Sequence, residues 1–411
     1  FLRSSIDTPY GTIRGTNGGF FRYSHQRHHL ERHAQLSIPN PWGVAFDDWG
    51  QHFFLYTSGT TVEWMLPGTV KSRYGSANPK SKDLVEPAHK VRPTSGIEFL
   101  ISNHFPDEVQ GDMLLNNNIG FLGTKQHKIS EDGTGYKTEH RQDLIVSKDG
   151  NFRPVDLEVA PDGSLYVVDW HNPLIGHMQH NARDPNRDHS HGRVYRITYP
   201  SRPLIMPAKI DGASIETLLS NLTLHEYRSR YRTRRELRAR DPKEVLPMLK
   251  KWVAKLDKKS EDYTHHLLEA LYVTWGYNQV DESYLNQLLN SKDHKARAAA
   301  VRVLRYNGHK INNQTALLKK AAADSHGRVV LEAITAASWL PKETGLDILS
   351  VTTKNAEKSL VLTDSWVTNT YKNAMAHLNG ESYRAPSKPK LKTKLKGKDK
   401  DLFMKGAKLY A

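Results

Sequence analysis

A β-rich first half followed by an all-helical second half is the fold class predicted for this 411-residue chain, on three observations. Between Gly18 and Thr198, short apolar runs alternate with clusters of Gly, Pro, Asn and Asp, the pattern of an antiparallel meander. From Ile215 onward, apolar residues recur at helical spacing in stretches rich in Leu, Ala, Lys and Arg. Between the two, Pro200, Pro203 and Pro207 close the β pattern before the helical one begins. A chain of this length exceeds what one hydrophobic core usually fills, so more than one domain is expected.

In the β half, Pro41 to Phe54 and Asp156 to Asp169 read alike: a strand, an Asp/Gly turn, then a strand rich in aromatic and β-branched residues. One such hairpin per repeat suits a β-propeller, and at about 40–50 residues per blade the region holds about four blades. Residues 1–200 are therefore expected to form a partial β-propeller of four-stranded blades, its other blades lying upstream of Phe1. The chain opens at Phe1-Leu2-Arg3 with neither a Met nor a charged-then-apolar leader, so a signal peptide is expected to be removed or to lie outside this sequence.

In the helical half, Asp293-His294-Lys295-Ala296-Arg297 is echoed by Asp324-Ser325-His326-Gly327-Arg328. The spacing resembles the Asp-x-x-x-Arg start of the second helix in HEAT-type repeats, and residues 201–382 are assigned to a HEAT/armadillo-like repeat domain. Each helix pair would bury its apolar face on the next; Leu285, Leu288, Leu289, Val301, Leu304, Leu317, Leu318, Ile334 and Trp339 are the expected core. Tyr227 to Leu237 reads as a degenerate first repeat. Residues 383–400 form a Lys/Pro linker, and 401–411 start a new amphipathic helix with Phe403, Gly406 and Tyr410 near one face.

Lys and Arg exceed Asp and Glu by 59 to 44, a net charge of +15 that admits several anionic partners. The run Arg228 to Arg240 is broken by Glu236, lacks an aromatic ladder and spreads its arginines around the helix, so a solvated face is expected and nucleic acid is not. No cysteine is present, which removes disulfides, thiolate metal sites and covalent haem attachment within these residues. No apolar run approaches the roughly 18 residues of a membrane span. Gly-rich nucleotide loops and nucleophile elbows are missing from the sequence, which disfavours Rossmann cofactor chemistry and serine hydrolysis.

The strings Thr8-Pro9-Tyr10-Gly11, Asn40-Pro41-Trp42-Gly43, Phe105-Pro106-Asp107-Glu108, Phe152-Arg153-Pro154-Val155-Asp156 and Asp169-Trp170-His171-Asn172-Pro173, continuing through Arg193, resemble the large membrane-bound dehydrogenases of planctomycete and verrucomicrobial bacteria. That resemblance covers about residues 8 to 411. It implies a glucose/sorbosone-dehydrogenase-like propeller, HEAT-like repeats and a C-terminal c-type cytochrome, in the periplasm or outside the cell. Oxidation of a sugar or alcohol would then pass electrons to the cytochrome domain of the same parent chain. A haem c attachment motif is expected within about 15 residues after Ala411, by the short loops of compact domains.

The resemblance also implies a site. Arg153, Asp156, His171 and His177 are the candidate catalytic residues, with Arg for an anionic group and His as general base. Glu98, Asn116, Asn117 and Asp169 are the candidate cofactor-binding residues, for pyrroloquinoline quinone and Ca2+. Arg153, Asp156, Asp169, His171 and His177 are expected to converge at one end of a central channel. The plainer readings stay open: an Arg–Asp pair that fixes a blade start, and a loop whose histidines hydrogen-bond locally. Which metal would bind is unknown from the sequence. A non-catalytic scaffold for carbohydrate or protein is the second functional class, in which Trp42, Trp49 and Trp170 could serve as a sugar platform or as packing.

Overall fold

The computed structural model describes residues 4–382 apart from 17, 37, 39, 59–60, 77–80, 176–182 and 355–358. The expected linker and the helix at 401–411 lie outside the described residues. The β half comprises β1 (Ser5–Thr8), β2 (Gly11–Arg14), β3 (Phe20–Ser24), β4 (His29–Ala34), β5 (Pro41–Phe46), β6 (His52–Tyr56), β7 (Thr61–Trp64), β8 (Thr94–Leu100), β9 (Asp112–Asn118), β10 (Leu122–Asp132), β11 (Gly135–Val146), β12 (Pro154–Val159), β13 (Leu165–Asp169) and β14 (Arg193–Ile197). They pair antiparallel as β1–β2, β3–β4, β5–β6–β7, β8–β9–β10–β11 and β12–β13–β14.

The two hairpins read from the sequence are both present. In the β5–β6 turn, Asp47 Oδ1 accepts the N–H groups of Trp49 (3.0 Å) and Gln51 (2.7 Å), and Gly50 takes the positive φ of 74° that closes it. In the β12–β13 turn, Asp162 and Gly163 play the same parts, with φ of 80° at the glycine. Uniform four-stranded blades are not found. Only one sheet has four strands, and the sheets do not close into a ring among the described residues. After β7 the chain enters a short 3-10 turn at Leu66–Thr69, where it packs against helices, and after β14 it runs into Pro200, Pro203 and Pro207. Proline brings no N–H to a sheet ladder, so no fourth strand follows there.

The helical half has eleven α-helices among the described residues: α1 (Ile215–Asn221), α2 (Tyr227–Arg238), α3 (Pro242–Ala254), α4 (Tyr263–Gly276), α5 (Glu282–Leu289), α6 (His294–Asn307), α7 (Gln314–Ala322), α8 (Gly327–Ala337), α9 (Lys342–Val351), α10 (Leu360–Thr363) and α11 (Ser365–Asn379). Asp241, Asp281, Asp293 and Asp364 each cap a helix by accepting backbone N–H groups of its first turn. Of the expected core, Leu285, Leu288, Leu289, Val301, Leu304, Leu318 and Ile334 are buried, Leu317 is half-buried against it, and Trp339 is half-buried with its Nε1 donating to the Thr69 carbonyl.

Successive repeats are joined by Arg297, whose guanidinium meets Asp324 through two bonds of 2.8 Å. Arg328, one repeat later, meets the tip of the β10–β11 hairpin instead. Its guanidinium donates to Glu131 Oε1 at 2.6 Å and to the carbonyls of Thr134 and Gly135. The halves share one continuous core, running from Phe53, Trp64 and Tyr136 to Leu304, Leu331 and Val367. A smaller core around Leu100, Leu114, Leu157 and Val167 holds β8–β11 against β12–β14. No helix among the described residues is long and apolar enough to cross a membrane.

Candidate functional site

Three of the residues singled out in the sequence do come together. Asp169, at the end of β13 and 1% exposed, accepts the backbone N–H groups of Arg153 (2.6 Å) and His171 (2.8 Å) on Oδ1 and the Arg193 guanidinium (2.6 Å) on Oδ2. Arg153 spends its guanidinium on the carbonyls of Asn118, Asn172 and Pro173 at 2.8–3.2 Å. His171 has a left-handed backbone (φ 49°), its Nε2 3.6 Å from Asp188 and its buried Nδ1 without a hydrogen bond. Asp156 stays apart, exposed on β12, with Oδ1 on the Leu157 N–H. His177 lies outside the described residues.

The other candidates are tied to different partners. Glu98 on β8 is buried against Arg228 of α2 (2.5 Å), and burial outweighs that cation in keeping its carboxyl above the usual range. Asn116 accepts the Thr124 hydroxyl (2.7 Å), while Asn117 donates to the Val91 carbonyl. Ca2+ takes six to eight oxygen ligands, but Glu98 and Asp169 are each paired with an arginine and sit in separate networks. These residues do not fit a calcium cage.

A larger feature was not anticipated: a cavity of about 600 Å³ between the two halves. One wall is built by β3, β5, His33 of β4 and His52 of β6; the other by α2, α4 and α6. On α2 the lining residues are Tyr227, Tyr231, Arg234, Arg235 and Arg238, spaced i, i+4, i+7, i+8 and i+11 along a single face. Glu269, Tyr272 and Trp275 repeat the helical spacing on α4, as do Arg302 and Tyr306 on α6. The basic run at Arg228 to Arg240 is therefore solvated only in part: Arg235 and Arg238 are exposed, while Arg228, Arg230 and Arg234 are paired with carboxylates of other elements. Three of its arginines line the cavity with two tyrosines, and Arg230, 3% exposed, is buried on Glu269 and Asp48.

Five arginines, Arg22, Arg234, Arg235, Arg238 and Arg302, line the cavity against two carboxylates, Asp48 and Glu269. Both acids are already engaged: Glu269 by Arg230 and Arg234, Asp48 by Arg230 and His265. Burial raises Glu269, yet Arg234 and Arg230 hold its carboxyl below the usual range. The lining is net positive. Trp275 and Tyr306 stack with planes 12° apart, and the Arg22 guanidinium lies 3.8 Å from the Tyr306 ring centre.

Beside this stack, His33 and His52 approach to 3.2 Å through their Nε2 atoms, one donating and the other accepting. His33 Nδ1 is 3.2 Å from the Tyr306 hydroxyl. Burial, with Arg305 and Arg22 nearby, pushes His33 down to about 4 despite Glu31; burial and the His33 and Arg302 charges push His52 well down too. Both rings are neutral near pH 7, and burial opposes their protonation. The sequence signal for this site was weak, since it needs β3 to be laid beside α6, although Tyr227, Tyr231 and Arg235 on one helix face could have been read as a stripe.

Residues 5–201 match a protein family described as a domain of unknown function (DUF7133). No curated protein matches the chain.

Proposed function

We propose that the chain is the ligand-holding part of an oxidoreductase acting on a sugar or alcohol, and that the cavity between the halves is its site. The observation that carries this reading is the cationic and aromatic lining, with Arg22 on the Trp275–Tyr306 stack facing Arg234, Arg235 and Arg238. Aromatic faces suit a ring, and arginine forks suit carboxylates. A neutral His33–His52 pair at the wall offers polar ring edges that can orient a bound hydroxyl.

The resemblance to membrane-bound dehydrogenases of planctomycete and verrucomicrobial bacteria supports the redox assignment, a propeller-derived β half and a periplasmic or extracellular setting. A planar polycarboxylate such as pyrroloquinoline quinone suits the lining in charge and shape; Arg22, Arg235 and Arg238 would hold it, and when bound it would accept the hydride or electron pair. A c-type cytochrome of the parent protein would take the electrons onward. Binding without turnover is the second reading, favoured by the observation that Arg153, Asp169 and Glu98 are all consumed by internal bonds.

The test is calorimetric titration of the chain with the quinone, galacturonate and galactose, followed by dye reduction with the full-length parent. The anions are expected to bind and neutral galactose to bind more weakly, with Arg22→Ala weakening the anions at least tenfold. Dye reduction that depends on His33 and His52 supports the oxidoreductase; binding without any turnover across a sugar and alcohol panel supports the scaffold. No binding of any of the three probes overturns both.

A further inference from the structure

Outside the cavity, a second cluster stands where the β10–β11 hairpin meets the repeats. His294 is the first residue of α6 and His326 the N-cap of α8, one position apart in the repeat register, and their rings stack with centres 3.6 Å apart and planes within 14°. Glu131 reaches them from β10, with Oε1 3.0 Å from His294 Nε2. One ligand atom from each of the three lies within 4.8 Å of the others, the one such group among the described residues.

We propose that Glu131, His294 and His326 bind a divalent transition-metal ion of the zinc type, which fastens the hairpin to two successive repeats. Two imidazoles and a carboxylate are borderline donors that suit Zn2+, Co2+ or Ni2+ and not Ca2+ or Mg2+. Zinc bonds of roughly 2.0–2.2 Å ask the three atoms to draw closer by side-chain rotation, which His294 and Glu131, at 21% and 39% exposure, are free to make. The remaining coordination positions open to water. Burial, with His294 and Arg328, pushes His326 down to about 4, so its ring is neutral, and the same positive surroundings weigh against a cation there. Burial raises Glu131, but Arg328 and His294 hold its carboxyl below the usual range.

Two contacts set the cost. Arg328 donates to Glu131 Oε1 at 2.6 Å, which steadies the carboxylate but brings a positive charge near the ion. His326 Nδ1 accepts the Arg328 N–H at 3.2 Å, and a metal-bound His326 gives up this bond, either at Nδ1 directly or by moving a proton there when Nε2 ligates. The bond from the His326 N–H to Asp324 Oδ1 (2.8 Å) remains to hold the helix start.

The experiment is titration of the chelator-treated full chain with Co2+, read by visible absorption, and with Zn2+ by competition. One equivalent is expected to bind, with His294→Asn and His326→Asn abolishing the signal and Glu131→Gln weakening it at least tenfold. A His89→Asn/His140→Asn variant, which removes another closely stacked histidine pair among the described residues, is expected to leave it intact. No saturable absorption, or absorption that survives His294→Asn/His326→Asn, overturns the proposal. Should those variants fail to fold, hydrogen exchange on the wild type decides: the Arg328 amide must exchange faster with Zn2+ present, and an unchanged rate overturns the site.

Discussion

Arg302 of α6 and Glu332 of α8 form a buried ion pair of 2.6 Å that extends beyond the helices: Arg302 donates to the Gly50 carbonyl (2.6 Å), and Gln51 Nε2 donates to Glu332 Oε1 (3.1 Å). The pair thereby fastens the β5–β6 turn to the repeats. Glu332→Ala leaves a buried guanidinium without its carboxylate, and should lower stability by about 3–5 kcal/mol. The double variant Arg302→Met/Glu332→Leu should recover a large part of that loss, measured by urea denaturation. Equal losses in the single and double variants would show that the pair's charge is not what matters.

Asp169→Ala should be as costly, for it strands the N–H groups of Arg153 and His171 and the Arg193 guanidinium at once. A loss of about 3 kcal/mol or more is expected, against less than about 0.5 kcal/mol for exposed Asp156→Ala. Thermal melting of the two variants separates them. Similar melting points would mean that the Asp169 network does not stabilise the β12–β14 sheet.

His33, pushed to about 4 in the fold, rises to about 6.5 when the chain unfolds. Between those values the unfolded state binds more protons, so stability rises with pH and is lost as pH falls from about 6.5 towards 4. The slope from such a group is about 1.4 kcal/mol per pH unit at most, and the depressed His52 and His127 add to it in the same direction. Melting temperature should fall from pH 7 to pH 5, and fall less steeply in His33→Gln. A flat profile over that range would remove the case for neutral buried rings.

Tyr306→Phe deletes the hydroxyl that meets His33 but keeps the ring under Arg22 and beside Trp275. Affinity for galacturonate should stay within about threefold, a change below about 0.7 kcal/mol, whereas Trp275→Ala should weaken it about tenfold or more. Calorimetry at two salt concentrations checks this, with affinity falling at the higher salt. Equal affinities for Trp275→Ala and the wild type would show that the stack is not a ligand surface.

The break between the halves was legible because a two-residue period gives way to a helical one across Pro200 to Pro207, and both rules are local. So were the turns at Asp47–Gly50 and Asp162–Gly163, where chemistry within four residues decides the conformation. The Asp-x-x-x-Arg signature marked the repeat but not the Arg297–Asp324 link, which joins the arginine of one unit to the aspartate of the next. The cavity was not legible. Arg22 and Tyr306, or His33 and His52, become neighbours only once sheets and helices pack, and no spacing rule reaches across that separation. The pairing of Arg228, Arg230 and Arg234 was not legible because Glu98, Asp48 and Glu269, which neutralise them, come from other elements, whereas Arg235 and Arg238 are exposed as a solvated face would have them.

Arg328 carries one more implication, for how such an array changes over evolutionary time. Repeat proteins gain length when a unit is duplicated in the gene and the copy slots into the ladder. Here the partner that a following unit would offer Arg328 is supplied by Glu131, encoded 197 residues upstream in a strand hairpin. A copy inserted directly after α8 would have to evict that hairpin, and with it the core it shares with the sheets. The Arg328–Glu131 bond thereby sets a geometric limit on lengthening the stack at this point, one that lies outside the repeats themselves.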